Sequence, residues 1–229
     1  MPVPAFDREL QRLQDELLIM SDLAERALVA SVDTLKRRDL TGAQELIGLE
    51  RQIGKRRFAI DMDCLTLVAT QPSRNGDLRT ITAILEVAGE LERITAYASN
   101  NARIPFMVVE PPLLGLLADL HQMALKTQAM LHQAMQALMQ RDLALAQAIP
   151  IEDRRIAVLY NKVYRDLLTF TQASSRKNSS RAVVNQTIYL SRVARNLKGA
   201  ADQVTHIAEW VAVAIVGERE VPDSVKLIT

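Results

Sequence analysis

The chain has 229 residues, enough for one large domain or two small ones, and its 48% apolar and 24% charged content excludes disorder for most of its length. Eight glycines and eight prolines leave few turn formers, and good helix formers such as Ala, Leu, Gln, Arg and Met dominate, so an all-α chain of long helices is expected. The balance of 28 basic against 27 acidic residues excludes the basic footprint of a nucleic-acid binder, the lone Cys64 excludes an intramolecular disulfide or a cysteine-built zinc site, and the longest apolar run, Trp210 to Val216, falls far short of the roughly 20 residues a membrane span needs.

The opening Met1-Pro2-Val3-Pro4 leads directly into Phe6-Asp7-Arg8-Glu9. No apolar stretch follows, so no secretory signal is expected and a cytoplasmic location is. Phe6, Leu10, Leu13, Leu17, Met20, Ala24 and Ala27 alternate spacings of four and three, which predicts a first helix to about Arg38 with a heptad seam. Asp39 offers an N-cap oxygen for a second helix reaching about Thr70. Pro72, Asn75 and Gly76 predict a turn. A third helix, with Ile81, Ile84, Ala88, Leu91, Thr95, Ala98 and Ala102 in its seam, ends near Arg103 before Pro105, and Pro111-Pro112 punctuate the middle of the chain. A fourth helix is predicted over about Leu113 to Arg141, and a fifth from Leu143 to Gln172 with a kink or short break at Pro150. The polar stretch 173–180 reads as a loop. The sixth helix carries Leu190, Ala194, Leu197, Ala201, Val204, Ala208, Val211 and Ile215, and Gly217 fits a C′ position.

The second half repeats the first. Residues 38–53 align with 141–156 at an offset of 103, with seven of sixteen positions identical, and the third and sixth helices align seam on seam at an offset of 106. The expected architecture is two tandem three-helix bundles, over residues 1–110 and 111–217, with a C-terminal tail over 218–229.

Beside the third seam lie Glu92, Ala96 and Asn100, and the repeat offset places Lys198, Asp202 and His206 at the matching positions. Two carboxylates at i and i+4 could hold a hard cation. Here each helix has one of them, Glu92 or Asp202, with Ala96 or Lys198 at the other position. The same residues read as a solvated shoulder with an ordinary Lys198–Asp202 ion pair. His121 and His132 are about 16 Å apart along one helix and cannot share an ion. No Glu-x-x-His, Gly-rich phosphate loop, His-Glu-x-x-His or Gly-x-Ser-x-Gly is present, so no enzyme is expected. The basic clusters Lys55-Arg56-Arg57 and Arg176-Lys177 with Arg181 could meet an acidic partner or simply face solvent.

The opening FDRELQRLQDELLIMSDLAERAL, the stretch QPSRNGDLRTITAILEVAGELERITAYASNNAR and the closing AADQVTHIAEWVAVAIVGE resemble the PhoU family of accessory regulators of bacterial phosphate uptake. The likeness covers nearly the whole chain, in both repeats. It implies two three-helix bundles side by side and a cytoplasmic, non-catalytic regulator of phosphate uptake and phosphate-starvation signalling. It also implies action through the phosphate transporter's ATPase subunit and a phosphate-responsive sensor histidine kinase, with a homodimer expected. Several members hold iron or divalent metal through Glu/Asp-x-x-x-Asp motifs. The corresponding ligands here are Glu50 and Glu92 in the first repeat and Asp153 and Asp202 in the second. Gly54, Ala96, Ala157 and Lys198 stand where further acids belong, so a cofactor is not expected. The alternatives are a metal-binding carboxylate bundle and a purely structural helical dimerisation module.

Overall fold

The computed structural model describes residues 5–70, 75–107, 114–175 and 181–217. Among these it contains six long helices and no strand: α1 (Ala5–Arg37), α2 (Leu40–Thr70), α3 (Asn75–Ala102), α4 (Leu114–Gln140), α5 (Leu143–Ser175) and α6 (Arg181–Val216), with a short 3₁₀ turn at Ile104–Phe106. Asn75 and Gly76, expected in a turn, open the first turn of α3, and α5 runs on through Ser175, three residues into the stretch expected as a loop. Pro72, the Pro111-Pro112 break, the bundle boundary at 110/111, Arg176-Lys177 and the tail over 218–229 lie outside the described residues. Pro150 does not break α5, which runs continuously from Leu143 to Ser175. Ala146, Ile149 and Ile156 on either side of it are buried, so packing offsets the lost backbone hydrogen bond.

The identity of the repeat at Arg-Asp-Leu has a local cause. Arg38 and Arg141 adopt left-handed backbone, with φ of 54° and 53°. Behind each, the next amide reaches back five residues, Asp39 N–H to Thr34 C=O at 2.9 Å and Asp142 N–H to Ala137 C=O at 3.0 Å. This is the Schellman ending of a helix, with arginine where glycine is usual. The aspartate then caps the next helix: Asp39 accepts from the Gly42 amide at 2.9 Å and Asp142 from the Leu145 amide at 3.0 Å. One tripeptide ends a helix, turns the chain and starts the next, at both places. Gly217, with φ +84°, ends α6 as its glycine predicts.

Helices α1, α2 and α3 pack as one three-helix bundle and α4, α5 and α6 as a second, and the two are joined along α3 with α6 and α1 with α4. The seam residues expected of α1, α3 and α6 from Leu13 onward are buried, the polar Thr95 among them, except Ile215, which packs half-buried against the core. Leu17, Leu28, Ile53, Leu91 and Leu117 are fully enclosed, and each such side chain stabilises the fold by about 1.5–3 kcal/mol. The buried residues of both bundles form one continuous cluster, so α2 and α5 are left on the two flanks with an outer face each. No described helix is long and apolar enough to cross a membrane.

Candidate functional site

The four sequence-predicted acids fall into two groups, one per bundle. In the first, antiparallel packing of α2 on α3 brings Glu50 and Glu92 to one open hollow, with Gly54 between them. A Cβ at Gly54 would stand 3.1 Å from Glu92 Oε1, so the glycine leaves room for that carboxylate. Both acids are already engaged by protein groups. Ser99 Oγ donates to Glu50 at 2.6 Å and Arg103 Nη2 at 3.2 Å, while Arg57 Nη1 donates to Glu92 at 2.7 Å. Glu92's hydrogen bond raises the Arg57 guanidinium above its ordinary value against the pull of burial, so this cation stays charged.

In the second bundle Lys198 from α6 sits between Asp153 on α5 and Asp202 one turn along α6. Its ammonium donates to both Asp153 oxygens, at 3.1 and 3.2 Å, and to Asp202. Burial pulls the Lys198 pKa down. The hydrogen bond that Lys198 donates to Asp202 and the charges of Asp153 and Asp202 outweigh it, and the net direction is upward. The two aspartates are thus brought together around a lysine nitrogen.

This donor set does not fit a metal cluster. A lysine ammonium already stands between Asp153 and Asp202, and a metal ion there would have to displace it against charge repulsion. Ala96 adds no oxygen to the first site, where arginines hold the acids that remain. Among the described residues no three His, Cys, Asp or Glu side chains converge as a cage for one ion. In the sequence Arg57 stood only as part of a basic cluster and Arg103 had no role, so neither was expected as a counter-ion of these acids. A signal was there for the first: Arg57 lies seven residues after Glu50 and returns to the same side of α2.

The histidines have a different role from the ligands considered above. His121 and His132 on α4 face Asp33 and Glu25 on α1 at 3.3 and 3.5 Å, and His206 on α6 faces Glu90 on α3 at 3.8 Å. All three come from the second bundle and meet acids of the first. The basic cluster at 55–57 is likewise divided: Arg56 is tied to Glu16 at 2.6 Å and Arg57 to Glu92, which leaves Lys55 as its outward charge. The expectation of three cations acting together is corrected accordingly, because neighbours on α1 and α3 neutralise two of them.

The PhoU domain matches residues 17–104 and again 120–211, one match per bundle. The chain is 28% identical over 220 residues to the phosphate-specific transport system accessory protein PhoU homolog of Xylella fastidiosa, covering 96% of this chain and 90% of that protein. It is 24% identical over 213 residues to the phosphate-specific transport system accessory protein PhoU of Edwardsiella tarda, covering 93% and 85%. The crystal structure of PhoU from Pseudomonas aeruginosa superposes with a TM-score of 0.84 at 25% identity, covering 93% of this chain and all of that one. That of the phosphate transport system regulatory protein PhoU from Streptococcus pneumoniae gives 0.84 at 22% identity and 95% coverage, a likeness of fold.

Proposed function

Because the chain belongs to the PhoU domain family, we propose that it is an accessory protein of a phosphate-specific transport system, restraining phosphate uptake and starvation signalling by protein contact. The carrying observation is the PhoU domain match in both bundles, across the bulk of the chain. Relatives that align over nearly the whole chain are named as accessory proteins of such systems. The partners on this reading are the transporter's ATPase subunit and the cytoplasmic part of a sensor histidine kinase. The protein acts in the cytoplasm, as a homodimer and without catalysis. The test is association of the purified chain with each candidate partner. Binding to at least one is expected, and none up to about 100 μM, beyond the range of useful cellular affinities, overturns the reading.

The same proposal has the protein working without a metal cluster, with Lys198, Arg57 and Arg103 as the resident counter-charges of the four acids. What supports this is the Lys198 ammonium shared by Asp153 and Asp202. Replacing Ala96→Asp and Lys198→Glu together restores two carboxylates per helix and should raise affinity for Mn²⁺ at least tenfold over wild type by calorimetry, since hard cations take carboxylate oxygens. Wild-type protein that binds Mn²⁺ as tightly as the double variant contradicts it.

A further inference from the structure

Among the described residues nothing packs on the outer face of α2. The helix buries Ala43, Ile53, Ile60, Cys64 and Leu67 against α1 and α3. On the opposite side Phe58, Met62 and Leu65, spaced four and three apart, stand 66%, 48% and 60% exposed. Three large apolar side chains in one row form a patch of the kind that marks an interaction surface. Lys55 and Arg51 continue the same row toward the N-terminus, both exposed. Unlike Arg56 and Arg57, neither is in a hydrogen bond or ion pair among the described residues. They rim the hollow of about 640 Å³ whose inner acids, Glu50 and Glu92, are already neutralised. The free charge at its mouth is positive.

The internal repeat supplies a control. On α5 the equivalents of Phe58, Met62 and Leu65 are Asn161, Arg165 and Leu168. Exposed apolar residues on that flank, Ile151, Val158 and Leu168, are separated along the row by Arg154, Asn161 and Arg165. Since α5 packs in its bundle as α2 does, the fold itself does not demand the unbroken α2 stripe.

We propose that this face of α2 docks an amphipathic helix of a partner protein, one that lays its apolar stripe on Phe58, Met62 and Leu65 and places an acidic side chain into the hollow at Lys55 and Arg51. Helix-on-groove recognition reads anchors at this spacing. Charge selects the occupant. The row from Arg51 to Leu65 has no acid, so the same row of a second copy would set cation against cation instead of answering it. An anionic membrane is disfavoured by the net charge of +1 and by Asp61 and Asp63 flanking the stripe.

The inference rests on the accessory-protein reading and names the surface it uses. The test titrates full-length wild type, the triple variant Phe58→Gln, Met62→Gln, Leu65→Gln, and separately Lys55→Glu with Arg51→Glu, against the purified transporter ATPase subunit and the kinase's cytoplasmic portion. All five positions face solvent, and circular dichroism confirms that the helices remain. Wild type should bind, the triple variant should lose at least about tenfold in affinity, and the charge reversal should weaken binding at low salt with the difference shrinking near 0.5 M. Unchanged binding by both variants overturns the surface and spares the accessory role. Wild type binding neither partner overturns both. A triple variant that instead turns a dimer into a monomer in sedimentation, or that loses only flotation with phosphatidylglycerol vesicles, assigns the face to a second copy or a membrane and overturns the proposal.

Discussion

Burial sets the chemistry of individual residues here. Cys64 is fully enclosed, and desolvation, with Asp61 and Asp63 adding to it, pushes its thiol up to about 12. The thiolate is the reactive form, so Cys64 should not react with a thiol reagent at pH 8 until the chain is unfolded; stoichiometric labelling of the native protein would contradict this. Glu90 is also buried, and desolvation raises its carboxyl above the ordinary value against the pull of Arg93 and His206. For a carboxyl the raised value means that folding favours the protonated form. Its contribution is therefore favourable at low pH and lost as pH rises through the folded value. Glu90→Gln should raise the melting temperature at pH 7, with the gain disappearing near pH 4.

The helices owe their ends to a few backbone and side-chain groups. Arg141 holds a left-handed turn, yet its guanidinium also donates to the Ala214 carbonyl at 2.9 Å, near the C-terminal end of α6. That bond satisfies an orphan carbonyl and sets a cation at the negative end of the helix. Arg141→Ala loses the bond and keeps the backbone strain, whereas Arg141→Gly loses the bond and relieves the strain. The alanine variant should be the less stable of the two by about 1 kcal/mol. Chemical denaturation of both decides it, and equal midpoints would show that the turn carries no strain.

At the scale of the molecule the two bundles meet along α3 and α6, and a glycine permits the approach. A Cβ on Gly199 would lie 2.7 Å from Tyr97 Cζ across that interface. Alanine within a helix is otherwise favoured over glycine by about 1 kcal/mol. In a Tyr97→Ala background Gly199→Ala should therefore stabilise by about that amount, and in the wild-type background it should not, because the ring must move. The double-mutant cycle measures the coupling directly; additive effects would show that the ring does not depend on the glycine. Three histidine–carboxylate pairs also link the bundles, two between α4 and α1 and one between α6 and α3.

Much of this was legible in the residues themselves. Heptad spacing determined α1, α3 and α6 and the faces they bury, because burying an apolar stripe is what makes a long helix stable in water, while cap and turn residues bounded α2, α4 and α5. The offsets of 103 and 106 pointed to two like halves, and the sequence itself puts Ala96 and Lys198, not a second carboxylate, beside Glu92 and Asp202. What the linear order could not carry was pairing between helices far apart in sequence. Lys198 reached Asp153 as well as its i+4 neighbour, Arg56 and Arg57 were taken up by Glu16 and Glu92, and the histidines turned to α1 and α3. Side-chain partners at such separations depend on the rotation of each helix about its axis and on which helices are neighbours. Local periodicity says which face is apolar but not which polar group stands opposite. The Phe58, Met62 and Leu65 row shows the same division: the spacing was present in the sequence, and only the packing of α2 between α1 and α3 left that row facing outward.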